Sequence, residues 1–133
     1  MTINDFIQKY RKVRKLGLDM TTGHTPHVVC KDGFKMSVQA SDTHYCEPKS
    51  IADEYTEFEI GYPSQEESMI MKYCEDYDNP CGTVYGYVPC SVIDEVIEKH
   101  GGIDEDFVIK KLKEAAWEEI QEEDYAKKAQ SSE

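Results

Sequence analysis

Apolar side chains recur at helical spacing near the start of the chain: Ile3, Phe6, Ile7, Tyr10 and Val13 share one face, and Gly17 stands where a helix stops. The spacing predicts a helix over Asn4–Leu16, with Lys9, Arg11, Lys12, Arg14 and Lys15 covering its other face. Leu18–Pro26 is polar and turn-rich, so residues 1–26 read as a basic helix and a linker appended to the rest. The period then falls to two. His27–Cys30 and Phe34–Ala40 flank Lys31-Asp32-Gly33, a turn that favours a β-hairpin. Phe34, Met36, Val38 and Ala40 alternate with polar residues, as in a sheet with one buried face. Asp42–Asp53 reads as a polar loop, and Tyr55–Tyr62 as a strand with Phe58, Ile60 and Tyr62 on one side.

Gln65–Cys74 holds a short apolar patch, Met69-Ile70-Met71, that suggests a helical turn capped by Ser64. Glu75–Gly82 is an acidic loop. Thr83–Val88 is the last predicted strand, and strict alternation places Tyr85 and Tyr87 together on one face and Val84, Gly86 and Val88 on the other. A helix capped by Ser91 runs to the His100-Gly101-Gly102 stop, and Asp104 caps a final helix with Phe107, Val108, Leu112, Ala115, Ala116 and Ile120 as its inner stripe. Beyond Glu122 the sequence is polar and predicts a frayed tail over 125–133. Strands first and helices last describe an α+β domain over 27–124: a small antiparallel sheet of about four strands packed on C-terminal helices.

Charge sharpens this picture. The 133 residues carry a net charge of −12, divided unevenly. Residues 1–35 hold 7 basic and 3 acidic side chains, whereas residues 36–133 hold 8 and 24, a net of −16. A duplex nucleic-acid binder needs basic side chains along its face to displace counterions, so this body excludes ordinary DNA binding and leaves a basic protein partner open. No apolar run reaches the ~20 residues of a membrane span, and no signal-peptide pattern opens the chain. Five cysteines, Cys30, Cys46, Cys74, Cys81 and Cys90, make an odd, irregularly spaced set that reads as reduced thiols in a cytoplasmic protein.

Candidate chemistry is sparse. His24, His27 and Cys30 are metal-ligand types at regular spacing, without the fourth ligand of a structural zinc site. Cys46 with His44, or Cys90 with His100, lacks the third member and oxyanion context of a nucleophilic site. Gly82 and Gly86 fit no phosphate-loop pattern. The more suggestive pattern is aromatic and polar: Gln39, Ser41, His44 and Tyr45 cluster at a strand end, while Tyr85 and Tyr87 flank a glycine. Such groups can stack a flat purine and bond its sugar or phosphates, or the tyrosines can simply cover a sheet or a subunit interface.

The strings VQASDTHYCEPK, YTEFEIGYPS and YCEDYDNPCGTVYGYVPCSVIDEVIEKHGGI resemble the Thoeris anti-defence protein one family, small "sponge" proteins of phages and mobile elements. The resemblance spans about residues 28–103. It implies a protein that catalyses nothing, needs no cofactor, and sequesters the cyclic ADP-ribose isomer made by TIR-domain defence proteins. It also implies a homodimer or larger assembly, and in some members a second site for cyclic oligonucleotides. By motif, Gln39, Ser41, His44 and Tyr45 would contact ligand and Tyr85 would stack the adenine. Tyr87 would belong to the same aromatic face, and Asp94 or Glu95 would add polar contacts. Lys49 stands where the family pattern tends to have Arg, so Lys49, backbone amides and the Ser91 helix start would have to meet a pyrophosphate. The alternative is an acidic inhibitor of the anti-CRISPR type, presenting carboxylates to the basic nucleic-acid groove of an effector.

Overall fold

The computed structural model describes residues 1–18 and 20–131. Ile3, Phe6 and Ile7 bury the apolar face of α1 (Ile3–Tyr10), which starts at a Thr2 capping box closed by Asp5. This helix is part of the core rather than an appendage. Asn4 is clamped to the Tyr55 backbone at 2.8 and 3.1 Å, and Asp94 accepts the Ile3 N–H at 2.8 Å.

The predicted helix to Leu16 is corrected: α1 ends at Tyr10, and the chain turns into a hairpin of an exposed β1 (Lys12–Lys15) and a partly buried β2 (Thr21–His24) where a linker was expected. Arg11 explains the break. Its guanidinium donates to the carbonyls of Ala40 and Ala52 and to the Tyr55 hydroxyl, which pulls the backbone out of the helix into an extended conformation.

The main sheet has the order β3 (Val28–Val29), β4 (Lys35–Gln39), β5 (Glu57–Gly61), β6 (Val84–Pro89), all neighbours antiparallel. The β3–β4 hairpin turns through Gly33 at φ +96°, a conformation that suits a residue without a Cβ. Residues 42–53 form the expected irregular loop. A 3-10 turn (Ser68–Tyr73) follows, capped by Glu67 rather than Ser64, whose hydroxyl accepts the Lys35 N–H instead.

Helix α2 (Cys90–Lys99) packs Ile93, Val96 and Ile97 inward, and its cap residue is Pro89, not Ser91. Asp104 does cap α3, accepting the Phe107 N–H at 3.1 Å. Helix α3 (Glu105–Ser131) continues well past Glu122, so the expected fraying is corrected. Its run of Glu, Gln, Ala and Lys favours helix locally. Only its first turns reach the body: Val108 is buried, Phe107 and Leu112 are half-buried, and every residue from Lys113 to Lys128 is exposed, Ala115, Ala116 and Ile120 included. The architecture is α+β. Among the described residues no helix is long and apolar enough to cross a membrane.

Candidate ligand-binding face

Gln39 ends β4 with its amide turned back onto the segment after β2. Its Oε1 accepts the Thr25 N–H at 2.9 Å, and its Nε2 donates to the Thr25 carbonyl at 2.8 Å and to Ser37 Oγ at 2.9 Å. Both amide hydrogens are consumed and the side chain is buried, so Gln39 splices two segments and is closed to a ligand.

Ser41 is completely buried one step further on. Its Oγ lies 2.6 Å from His44 Nδ1 and accepts the Thr43 N–H at 3.2 Å. A hydroxyl that close to an imidazole has the spacing of a nucleophile and its base. Full burial denies it a substrate, so Ser41 acts as the post that fixes the His44 ring. Burial holds the His44 imidazole below its ordinary pKa, against the opposing pull of Glu59. The ring is therefore neutral near pH 7, and Nε2 has no hydrogen-bond partner among the described residues.

Cys46 does not pair with that histidine. Its thiol donates to the carbonyls of Ser41 and Pro48, and burial raises its pKa. Cys30 is buried too, with its thiol pushed up to about 11, first by desolvation and then by Asp32. Neither is an activated thiolate.

Tyr85 and Tyr87 do not share a face. Phe58 pairs with Val88 and Ile60 with Tyr85, so β6 carries one more residue than β5 across this interval, a β-bulge at Gly86-Tyr87. The extra residue sends Tyr85 and Val88 both inward and leaves Tyr87 outside. Tyr85 is fully buried, with its hydroxyl donating to the Pro80 carbonyl at 2.7 Å, and burial raises its pKa strongly. The expectation that Tyr85 stacks a base is corrected: it is a core residue with both ring faces covered.

Tyr87 takes the role of the exposed aromatic. It sits at φ +54°, a conformation that costs a residue with a Cβ, and its N–H donates to the Tyr45 carbonyl at 3.0 Å. The Tyr45 and Tyr87 rings lie 6.0 Å apart, tilted by 39°, and both are exposed. Lys49 Nζ stands 5.8 Å from the Tyr45 ring centre. Gly86 lies beneath: a Cβ there would come within 3.4 Å of Tyr45 Cβ. Glu59 Oε1 accepts the Tyr45 N–H at 3.2 Å. His44, Tyr45, Lys49 and Tyr87 thus meet on one surface. Glu59 joins them, legible only as an outward position of its strand.

Glu95 is exposed on α2, and Asp94 is occupied by the Ile3 amide. His24 and His27 are exposed while Cys30 is buried, and among the described residues no group of three or more His, Cys, Asp or Glu is placed to hold a metal ion.

A buried charge network went unread in the sequence. His100 caps α2, with Nδ1 2.6 Å from Asp32 Oδ2, Nε2 2.8 Å from Glu67 Oε1, and its ring stacked on Phe34 at 4.2 Å. Glu67, almost wholly buried, also accepts from Lys99 Nζ at 2.9 Å and from the Met69 N–H at 3.0 Å. Two carboxylates facing the two ring nitrogens call for the imidazolium. Burial pushes the His100 pKa down, but Asp32 and Glu67 outweigh it and raise it above the ordinary value. Burial likewise pushes Glu67 up, and its three hydrogen bonds together with the Lys99 charge win and hold it below the usual carboxylate range. The network ties the β3–β4 turn, the 3-10 turn and the end of α2 together.

Comparison with family models, with curated proteins and with solved structures gives no match to this chain. The functional reading therefore rests on this geometry and on the motif resemblance.

Proposed function

We propose that the protein is a non-catalytic binder of a small nucleotide-type signal, of the sequestering kind, with the Tyr45–Tyr87 pair as its stacking platform. The observation that carries this reading is Tyr87. Tyr62 shares the positive φ and the exposure, but at Tyr87 the exposed Tyr45 ring lies 6.0 Å away, so the conformational cost there presents a paired aromatic surface. Lys49 supplies one cation for a phosphate, His44 Nε2 one further polar contact, and Glu59 an acceptor for an exocyclic amine. A single lysine beside acidic neighbours favours a compact ligand with much base and little charge over a polyanion.

Titration calorimetry with cyclic ADP-ribose isomers and with cyclic dinucleotides tests the reading. Binding is expected, and Tyr87→Ala should weaken it about ten- to a hundredfold, the worth of one base stack. The absence of heat with every ligand refutes it. Mass spectrometry of small molecules released by heating protein purified from cells with an active TIR enzyme gives an independent readout.

The exposed acidic stretch Glu75-Asp76-Tyr77-Asp78, within a body of net −16, supports the second reading, an inhibitor that occupies a basic groove of an effector protein. Such a complex would dissociate steeply above physiological salt. A salt-insensitive pull-down would exclude it.

A further inference from the structure

Between the segment after β2 and the first turns of α3 lies a groove of about 420 Å³ with an apolar floor of Val29, Phe107 and Leu112 and a rim of His24, His27, Lys35 and Lys111. Lys35 and Lys111 both approach the Phe107 ring, at 5.3 and 5.5 Å from its centre. This is a basic rim on an acidic protein. Lys111 has one exposed partner, Glu114 at 3.3 Å, a contact that exchanges easily with solvent.

The same helix carries the opposite charge further out. Val108, Lys111 and Ala115 line the groove, and steps of three and four residues continue their face to Glu118, Glu119 and Glu122. From Lys113 to Ser131 there are six acidic and three basic residues. That stretch is about 28 Å of helix. From Lys113 to Lys128 every residue is exposed, Trp117, Ile120 and Tyr125 at 61%, 49% and 78%. In proteins most helical stability comes from packing one face of the helix.

We infer that this face of α3 pairs antiparallel with the α3 of a second copy of the chain, about a two-fold axis at Ala115–Ala116. The two small side chains let the helices approach closely there. Antiparallel register about that point sets Glu119 of one copy opposite Lys111 of the other, and Glu122–Glu123 opposite Phe107–Val108, where Lys35 lies. Each groove receives the acidic half of the other helix, while Trp117 and Ile120, about 160° and 140° around the helix from Ala115, stay on its outer face. One bipolar helix face supplies both halves of an isologous contact. This inference is independent of the nucleotide reading.

The test is sedimentation equilibrium on the full chain and on two charge-reversed variants, Lys35→Glu/Lys111→Glu and Glu118→Lys/Glu119→Lys/Glu122→Lys. The wild type should sediment at twice the 15.3 kDa chain mass. Each variant alone should dimerise at least tenfold more weakly. An equimolar mixture should recover a two-chain species, because each basic surface again meets an acidic one. That recovery also shows that both variants fold. A monomeric wild type overturns the proposal, whether or not the groove then takes another acidic helix. A dimer insensitive to both reversals, or a mixture that stays monomeric, overturns it as well.

Discussion

Replacing Glu67 with Gln removes one charge from the His100 network and leaves its shape nearly unchanged. The one oxygen of the Gln amide can still accept from His100 Nε2 at 2.8 Å, but its NH2 then stands where Oε2 accepted from Lys99 and the Met69 N–H. Lys99 is half exposed and recovers its water, so its loss is small. The main cost falls on His100, 5% exposed, which must keep its imidazolium against Asp32 alone or give up the proton. Removing one member of a buried ion pair costs about 3–5 kcal/mol. The Asp32 contact survives, so the low end, about 3 kcal/mol, is expected.

Urea unfolding followed by circular dichroism across pH reads both the size and the sign. His100, raised in the fold, contributes stability that is complete below its ordinary pKa of 6.5 and is lost as pH rises through its folded value. Glu67, lowered in the fold, contributes stability that is complete above 4.5 and is lost as pH falls through its folded value. The wild type should therefore be most stable from about pH 4.5 to 6.5 in so far as this network decides it. Glu67→Gln should flatten the acid limb and shift the alkaline limb to lower pH. A loss under 0.5 kcal/mol with an unchanged pH profile would refute the buried-imidazolium account.

Three further substitutions separate structural from surface roles. Phe6→Ala should cost about 3–5 kcal/mol by thermal or urea unfolding, because Phe6 is fully buried in the shared core; a cost under 1 kcal/mol would restore the appended-helix view. Gln39→Ala strands the buried Thr25 amide and carbonyl, and a loss of about 1–3 kcal/mol is expected in the same assay. Tyr87→Asn should gain up to about 1 kcal/mol, since Asn tolerates the left-handed backbone better, while it abolishes stacking; a destabilised variant would argue against stored strain.

The strands were legible because their period of two survives burial on one face, as in Met36, Val38, Phe58 and Ile60. What stayed hidden required knowledge of distant neighbours. Val13 continues the helical spacing of α1, and only the three long-range bonds of Arg11 reveal why the helix stops. Alternation placed Tyr85 beside Tyr87, and one extra residue in β6 undid it. No sequence rule marks a bulge whose left-handed position is filled by Tyr rather than Gly. His44, Tyr45 and Lys49 were found because they are near neighbours in the chain. The His100 network was not, because its partners lie 33 and 68 positions away.

The docking of α1 also dictates an order of events during synthesis. Ile3, Phe6 and Ile7 are made some ninety residues before two of the groups that hold their helix, Asp94 at the Ile3 amide and Glu105 on Lys9 and Tyr10. At about 5–20 residues per second the amphipathic helix waits roughly 5–20 seconds with its apolar face uncovered. Nascent chains of this protein are thus substrates for chaperones until α2 has emerged, and a solubilising fusion ahead of Thr2 should raise soluble yield more than the same fusion placed after α3.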